Sequence, residues 1–131
     1  MHATRLEADG LDTSLVVRAD RDRVLQVLSN LIGNALKFVP SNEGRISLSV
    51  TRDGNRARFS VVDNGPGIPP EHLGHLFERY WKGSSASREG AGLGLFIAKG
   101  VLDAHGGEIR VDAEAQPGAT LRFWLPLAEP R

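Results

Sequence analysis

Three groups of residues in this 131-residue sequence are of types and spacings that suit chemistry better than folding. Asn30, Asn34 and Lys37 follow one another at intervals of four and three, with Gln26 four positions earlier, so a helix carries them as one stripe. Asparagine is a mediocre helix former, and propensity does not explain two on one face. A solvated face would tolerate them. A phosphate–metal unit would use them, because amide oxygens are hard ligands suited to Mg²⁺ and an ammonium is a point charge for phosphate. Asp63 ends a run in which Phe59 and Val61 share its face, so a carboxylate sits at the tip of an apolar strand, where burial is costly without a donor. A helix-start amide would meet that need structurally. Chemically, a buried carboxylate without an internal donor accepts from the exocyclic amino group of adenine. It rejects the carbonyl that guanine presents there, a distinction worth about 1–3 kcal/mol. Gly65 and Gly67 let the following loop approach a flat base. Gly90-Ala91-Gly92-Leu93-Gly94-Leu95 runs into a helix whose first amides suit phosphate oxygens. Its G-x-G-x-G spacing matches neither the Walker nor the Rossmann pattern.

The elements that must hold these groups are legible as periods. Residues 15–17 read as a short strand, and Asp20 is a helix N-cap. Residues 24–39 repeat apolar positions with helical period until Pro40. Residues 45–51 alternate as a half-buried strand; Asp53-Gly54-Asn55 turns it into a second strand ending at Asp63. A short helix is expected at 70–77, a mobile loop at 82–90, and a second long helix at 93–105 stopped by Gly106-Gly107. Strands at 108–114 and 120–127 close the chain around Gln116-Pro117-Gly118. The pattern predicts an α+β fold in one domain over 1–131: a two-layer α/β sandwich with a mixed, mostly antiparallel sheet and helices on one face. Sixteen basic and sixteen acidic residues balance, which argues against a nucleic-acid surface. There is no cysteine, hence no disulfide or thiolate site. No apolar run approaches the ~20 residues of a membrane span, and no direct membrane contact of these residues is expected.

In this order the motifs resemble those of the ATP-binding catalytic domain of sensor histidine kinases, in the superfamily shared with gyrase, Hsp90 and the mismatch-repair ATPases. The resemblance runs from about residue 15 to 127. Asn30 to Phe38 resembles the N box, Asp63 to Ile68 the G1 box, Leu76 to Lys82 the F box, Gly90 to Leu95 the G2 box, and Gly118-Ala119-Thr120 the last glycine motif. It implies a Bergerat-type fold with ATP and Mg²⁺ as ligands. Asn34 would hold Mg²⁺ with Asn30 assisting, Lys37 would reach phosphate, and Asp63 would bind the adenine amino group. Gly65, Gly67 and Ile68 would lie along the base, and Phe77, Tyr80 and Lys82 come from the F box. Gly90, Gly92, Leu93, Gly94 and Leu95 would follow the phosphates, Thr120 of the last glycine motif would also contact the nucleotide, and residues 82–90 would form the lid. Two positions depart from the family pattern. Lys82 stands where arginine is usual, giving one ammonium in place of a bidentate fork, and Ala91 stands where Thr or Ser is common.

Asn30 also occupies the place of the water-activating glutamate of the ATPase branches, and an amide is no general base. That favours positioning ATP for transfer. The acceptor would be a histidine on a separate dimerisation domain, with a response-regulator receiver domain as an indirect partner. The four histidines here are poor substitutes: His2 is terminal, His72 and His75 read as a surface pair, and His105 sits where a helix end favours a cation. A nucleotide-binding sensor or scaffold without transfer, and an anti-sigma-type serine kinase, are the alternative readings.

Overall fold

The computed structural model describes residues 5–12, 14–36, 43–65, 67–68, 73–78, 94–112, 118 and 120–128. The elements are β1 (Arg5–Leu11), α1 (Arg21–Leu36), β2 (Arg45–Asp53), β3 (Arg56–Asp63), α2 (Gly94–Ala104), β4 (Glu108–Asp112) and β5 (Thr120–Pro126). They form a five-stranded sheet in the order β1-β2-β3-β5-β4. The β2–β3, β3–β5 and β4–β5 pairs are antiparallel, and β1 joins the β2 edge in parallel.

One parity of the strands builds the core. Ile46, Ala57, Phe59, Val61, Ile109, Leu121, Phe123 and Leu125 lie under Val27, Leu31 and Ala35 of α1 and Leu95, Ala98 and Leu102 of α2. The cross-strand partners Phe59 and Phe123 stack with centroids 4.4 Å apart. The other parity carries a polar face on which Trp124 lies beneath the guanidinium groups of Arg56 and Arg110 and donates its indole N–H to Asp53. Glu108 bonds both arginines; the Arg56 hydrogen bond, reinforced by Arg110, holds its carboxyl below the usual range.

The α1 N-terminus is capped by Asp20, whose Oδ1 accepts from the amides of Asp22 (3.0 Å) and Arg23 (3.3 Å). Asp20→Ala should cost about 1 kcal/mol in chemical denaturation, and a change within error would deny the cap its role. α2 ends in a Schellman arrangement, with Gly107 N–H donating to Leu102 O and Gly106 N–H to Asp103 O. His105 joins the two ends: Asp20 N–H donates to its Nε2 at 3.1 Å, so Nδ1 bears the proton and donates to Val101 O at 2.8 Å. The ring is therefore a hydrogen-bonded tie between helices instead of a cation at a helix end. Because α1 begins where α2 ends, the helices run antiparallel.

Several expectations from the sequence need correction. Residues 15–17 contribute a single bridge, Val17 to Leu127, and the first strand is instead β1. Its sequence, RLEADGL, alternates polar and apolar residues from Arg5 to Asp9, a period too short to read as a strand beside the longer runs. The described part of the expected helix at 70–77, residues 73–77, is a series of turns, with Glu78 N–H bonded to His75 O. The hairpin turn is confirmed as the two residues Gly54 and Asn55 between the paired Asp53 and Arg56. Among the described residues no helix is long and apolar enough to cross a membrane.

Candidate nucleotide site

β3 delivers Asp63 to one end of the sheet. The residue pairs with Ile46, stands on the core face and is 8% exposed. Its Oδ1 accepts from Gly65 N–H at 2.8 Å, folding the loop back on the strand end. The carboxylate thus has an internal donor, contrary to the premise read from sequence. With about four lone-pair sites, it can accept from a ligand as well. Asn64, a residue the sequence reading did not single out, secures the same loop. Its Oδ1 accepts from Arg45 N–H (2.8 Å), its Nδ2 donates to Glu43 O (2.7 Å), and its backbone N–H donates to Arg45 O (3.1 Å). The Asp-Asn pair therefore divides its work, with Asn64 holding the turn to β2 and Asp63 facing the core side.

β5 begins beside this end of the sheet, but Thr120 does not join Asp63. It is 1% exposed, pairs with Val62 and Asp112, and alternates with core-facing Leu121, so its side chain lies on the opposite face, contrary to the expectation that it contacts nucleotide. Just before it, Gly118 has φ +83°, and a Cβ there would stand 1.9 Å from the Asp63 carbonyl oxygen. Gly67 also has φ +83°, and its missing Cβ would be 3.4 Å from Gly118 O. The two glycines let the loop after β3 and the turn before β5 pack backbone to backbone.

α1 places Asn30 and Asn34 one turn apart, both half-buried. Asn30 Nδ2 donates to Gly94 O, the first carbonyl of α2, at 3.0 Å. Since α2 ends beside the start of β4, its first residue lies toward the end of the sheet where β4 stops and Asp63 stands. The structure thus ties Asp63 to Gly65 and packs it against Gly118, and it ties Asn30 to Gly94. Ile68 and Phe77 are half-buried, with Phe77 against the core, and Leu95 is buried within it. Lys37, Tyr80, Lys82, Gly90, Gly92 and Leu93 lie outside the described residues, as does the loop expected at 82–90.

Mg²⁺ fits this donor set. Among the described residues no cluster of three His, Cys, Asp or Glu could hold an ion. Mg²⁺ needs no such cage when one or two protein oxygens complement phosphate and water. With the Asn30 nitrogen engaged, an oxygen is what that amide has left to offer. His75, by contrast, is exposed and pairs with Glu78 at 3.0 Å. A separate groove of about 450 Å³, lined by Leu15, Val16, Arg52, Asn55 and Leu127, lies at the hairpin-turn end of the sheet, away from these groups.

A two-layer sandwich with a buried acid at the end of a central strand, glycine turns beside it and two half-buried asparagines on the helix above is the arrangement that the sequence motifs lead one to expect of a nucleotide-binding domain. Comparison with known proteins makes the class specific. Residues 19–129 match the family described as histidine kinase-, DNA gyrase B- and HSP90-like ATPase. The sensor protein ChvG of Agrobacterium fabrum is 38% identical over 128 residues, covering 92% of this chain and 22% of that protein. The sensor histidine kinase WalK of Bacillus subtilis is 39% identical over 123 residues, covering 90% and 20%. The chain spans about a fifth of the length of these relatives. Among solved structures, the mycobacterial sensor histidine kinase MprB superposes with TM-score 0.77 at 31% identity, covering 95% of this chain and 84% of that one. Full-length ShkA in complex with AMPPNP gives 0.77 at 34%, covering 98% and 26%. The chain belongs to this ATPase family, as an ATP-binding catalytic domain of the histidine-kinase type.

Proposed function

We propose that the domain holds Mg-ATP between the end of β3, the second half of α1 and the start of α2, and presents its γ-phosphate to a histidine on a separate dimerisation domain. The observation that carries the reading is the buried Asp63 carboxylate, fixed at the end of β3 by Gly65 and against Gly118. In this arrangement Asp63 accepts from the adenine amino group, while Gly65, Gly67 and Ile68 flank the base. Asn34, with Asn30, supplies oxygens to Mg²⁺. Lys37 and Lys82 are the cations for phosphate, and the segment from Gly90 to Leu95 supplies amides. Phe77 and Tyr80 belong to the wall contributed by the segment before it. When bound, Mg²⁺ would neutralise charge on the phosphates.

Transfer then consists of forming a bond from an imidazole nitrogen to the γ-phosphorus as the bond to the ADP oxygen breaks. ADP leaves with that electron pair, and catalysis is mainly position and charge. Hydrolysis is disfavoured because no carboxylate stands at Asn30 to activate water. A receiver domain would take the phosphoryl group from that histidine, and the parent would work with this domain in the cytoplasm.

Mixing the chain with [γ-³²P]ATP, Mg²⁺ and a dimerisation domain bearing its histidine tests the assignment. Acid-labile, base-stable label on the dimerisation domain is expected. Nucleotide binding without transfer would favour a sensor module, and acid-stable label on serine would favour a serine kinase. Asn34→Ala should weaken ATP binding about tenfold or more in Mg²⁺ and far less in EDTA. An unchanged Mg²⁺ dependence, measured by calorimetry, would remove Asn34 from the metal.

A further inference from the structure

The Asn30 side chain makes a contact that metal binding does not require. Its Nδ2 donates to Gly94 O at 3.0 Å, joining residues 64 apart in sequence, in a partly buried setting. Backbone and side chain are also close there, since a Cβ on Gly94 would lie 3.8 Å from Asn30 Cβ. Gly94 opens α2, and the facing helices meet at this point.

We propose that Asn30 is a positioning residue, whose amide N–H seats the first turn of α2 against α1 and so sets the phosphate-facing end of the site. The inference rests on the nucleotide-site reading above. A planar amide that donates from Nδ2 keeps Oδ1 on its other branch, so one side chain ties two helices and still offers an acceptor. Among the described residues that oxygen has no partner. An ionised carboxylate at this position would set oxygen against the Gly94 carbonyl. The asparagine is therefore a requirement of the helix contact, and is more than the absence of a hydrolytic base.

The neutral variant Asn30→Ala removes the tie without adding a charge. ADP affinity of the full chain, measured in EDTA so that metal ligation does not enter, should fall about tenfold. In the nucleotide-free variant the backbone amides of the first turn of α2 should exchange faster than in wild type, while those near His105 keep their rates. Wild-type ADP affinity in EDTA, or unchanged exchange at the start of α2, overturns the proposal. A general structural loss would instead speed exchange at both ends of α2. The tie is also checked without any variant, in the nucleotide-free wild-type chain. The Asn30 side-chain amide protons should exchange with solvent more slowly than those of exposed side-chain amides, and free exchange overturns the tie. A wild-type chain that shows slowed exchange yet binds no ADP would refute the nucleotide site and leave the tie standing.

Discussion

Asp63→Asn is expected to lower ATP affinity about tenfold to a hundredfold while leaving the domain nearly as stable as before. The asparagine oxygen can still accept from Gly65 N–H, the bond that holds the loop at 2.8 Å. Its amide nitrogen, however, would face the adenine amino group donor to donor in a position only 8% exposed. The same donor suits the carbonyl of guanine, so the preference for ATP over GTP should narrow as ATP affinity falls. Asp63→Ala differs in a useful way. It leaves the Gly65 amide without this acceptor, so it should cost stability by about 1–3 kcal/mol in addition to losing ATP. Calorimetry and thermal melts on the two variants separate the loop-holding role from the base-reading role. Near-wild-type ATP affinity in folded Asp63→Asn would end the adenine assignment.

The second large effect is steric. Gly118→Ala would place a methyl 1.9 Å from the Asp63 carbonyl oxygen and 3.0 Å from Asn64 Cα, at a φ of +83° that alanine adopts at a cost. The three nearest atoms are all backbone, so no flexible side chain can yield to the methyl. The turn before β5 or the end of β3 must move, and either displaces Asp63. A loss of about 2–5 kcal/mol follows from combining the left-handed penalty with overpacking. ATP affinity should fall with it. Gly54→Ala is the matching control: its φ is +64°, but nothing lies within 4 Å of the added methyl. It should cost only about 1–2 kcal/mol and leave binding unchanged. Equal stability losses in the two variants would mean that the Gly118 contact is not tight.

The contrast between these glycines shows what could be read before the structure was known. Gly54 was legible because a turn signal is local: Asp53-Gly54-Asn55 interrupts two alternating runs. The Asp20 cap, the apolar stripe of α1 and the stop at Gly106-Gly107 were legible for the same reason. Asp63 stood out because a charged residue broke an apolar period. The Gly118–Asp63 approach was different, since 55 positions separate the partners and nothing local to Gly118 announces it. The Gln116-Pro117-Gly118 turn and the family resemblance marked the glycine, but neither named its partner. The Asn30–Gly94 bond and the Asn64 bonds to Arg45 and Glu43 were hidden likewise, because polar side chains choose partners that the fold brings near. β1 escaped because its alternation from Arg5 to Asp9 holds only two apolar residues, Leu6 and Ala8, and its parallel partner β2 lies 40 positions away, from Arg5 to Arg45. The candidate site residues were thus more visible than the contacts that hold them in place.

The central claim is that nucleotide binds at the Asp63 end of the sheet, and amide chemical-shift mapping during titration with Mg-ATP analogue tests it most directly. The largest shifts are predicted at Asp63, Asn64, Gly65, Gly67, Asn30, Asn34 and Gly94, with little change at Val16, Asn55 or Leu127. Shifts centred instead on the Val16–Asn55–Leu127 groove, or no saturable shifts at millimolar nucleotide, would contradict it.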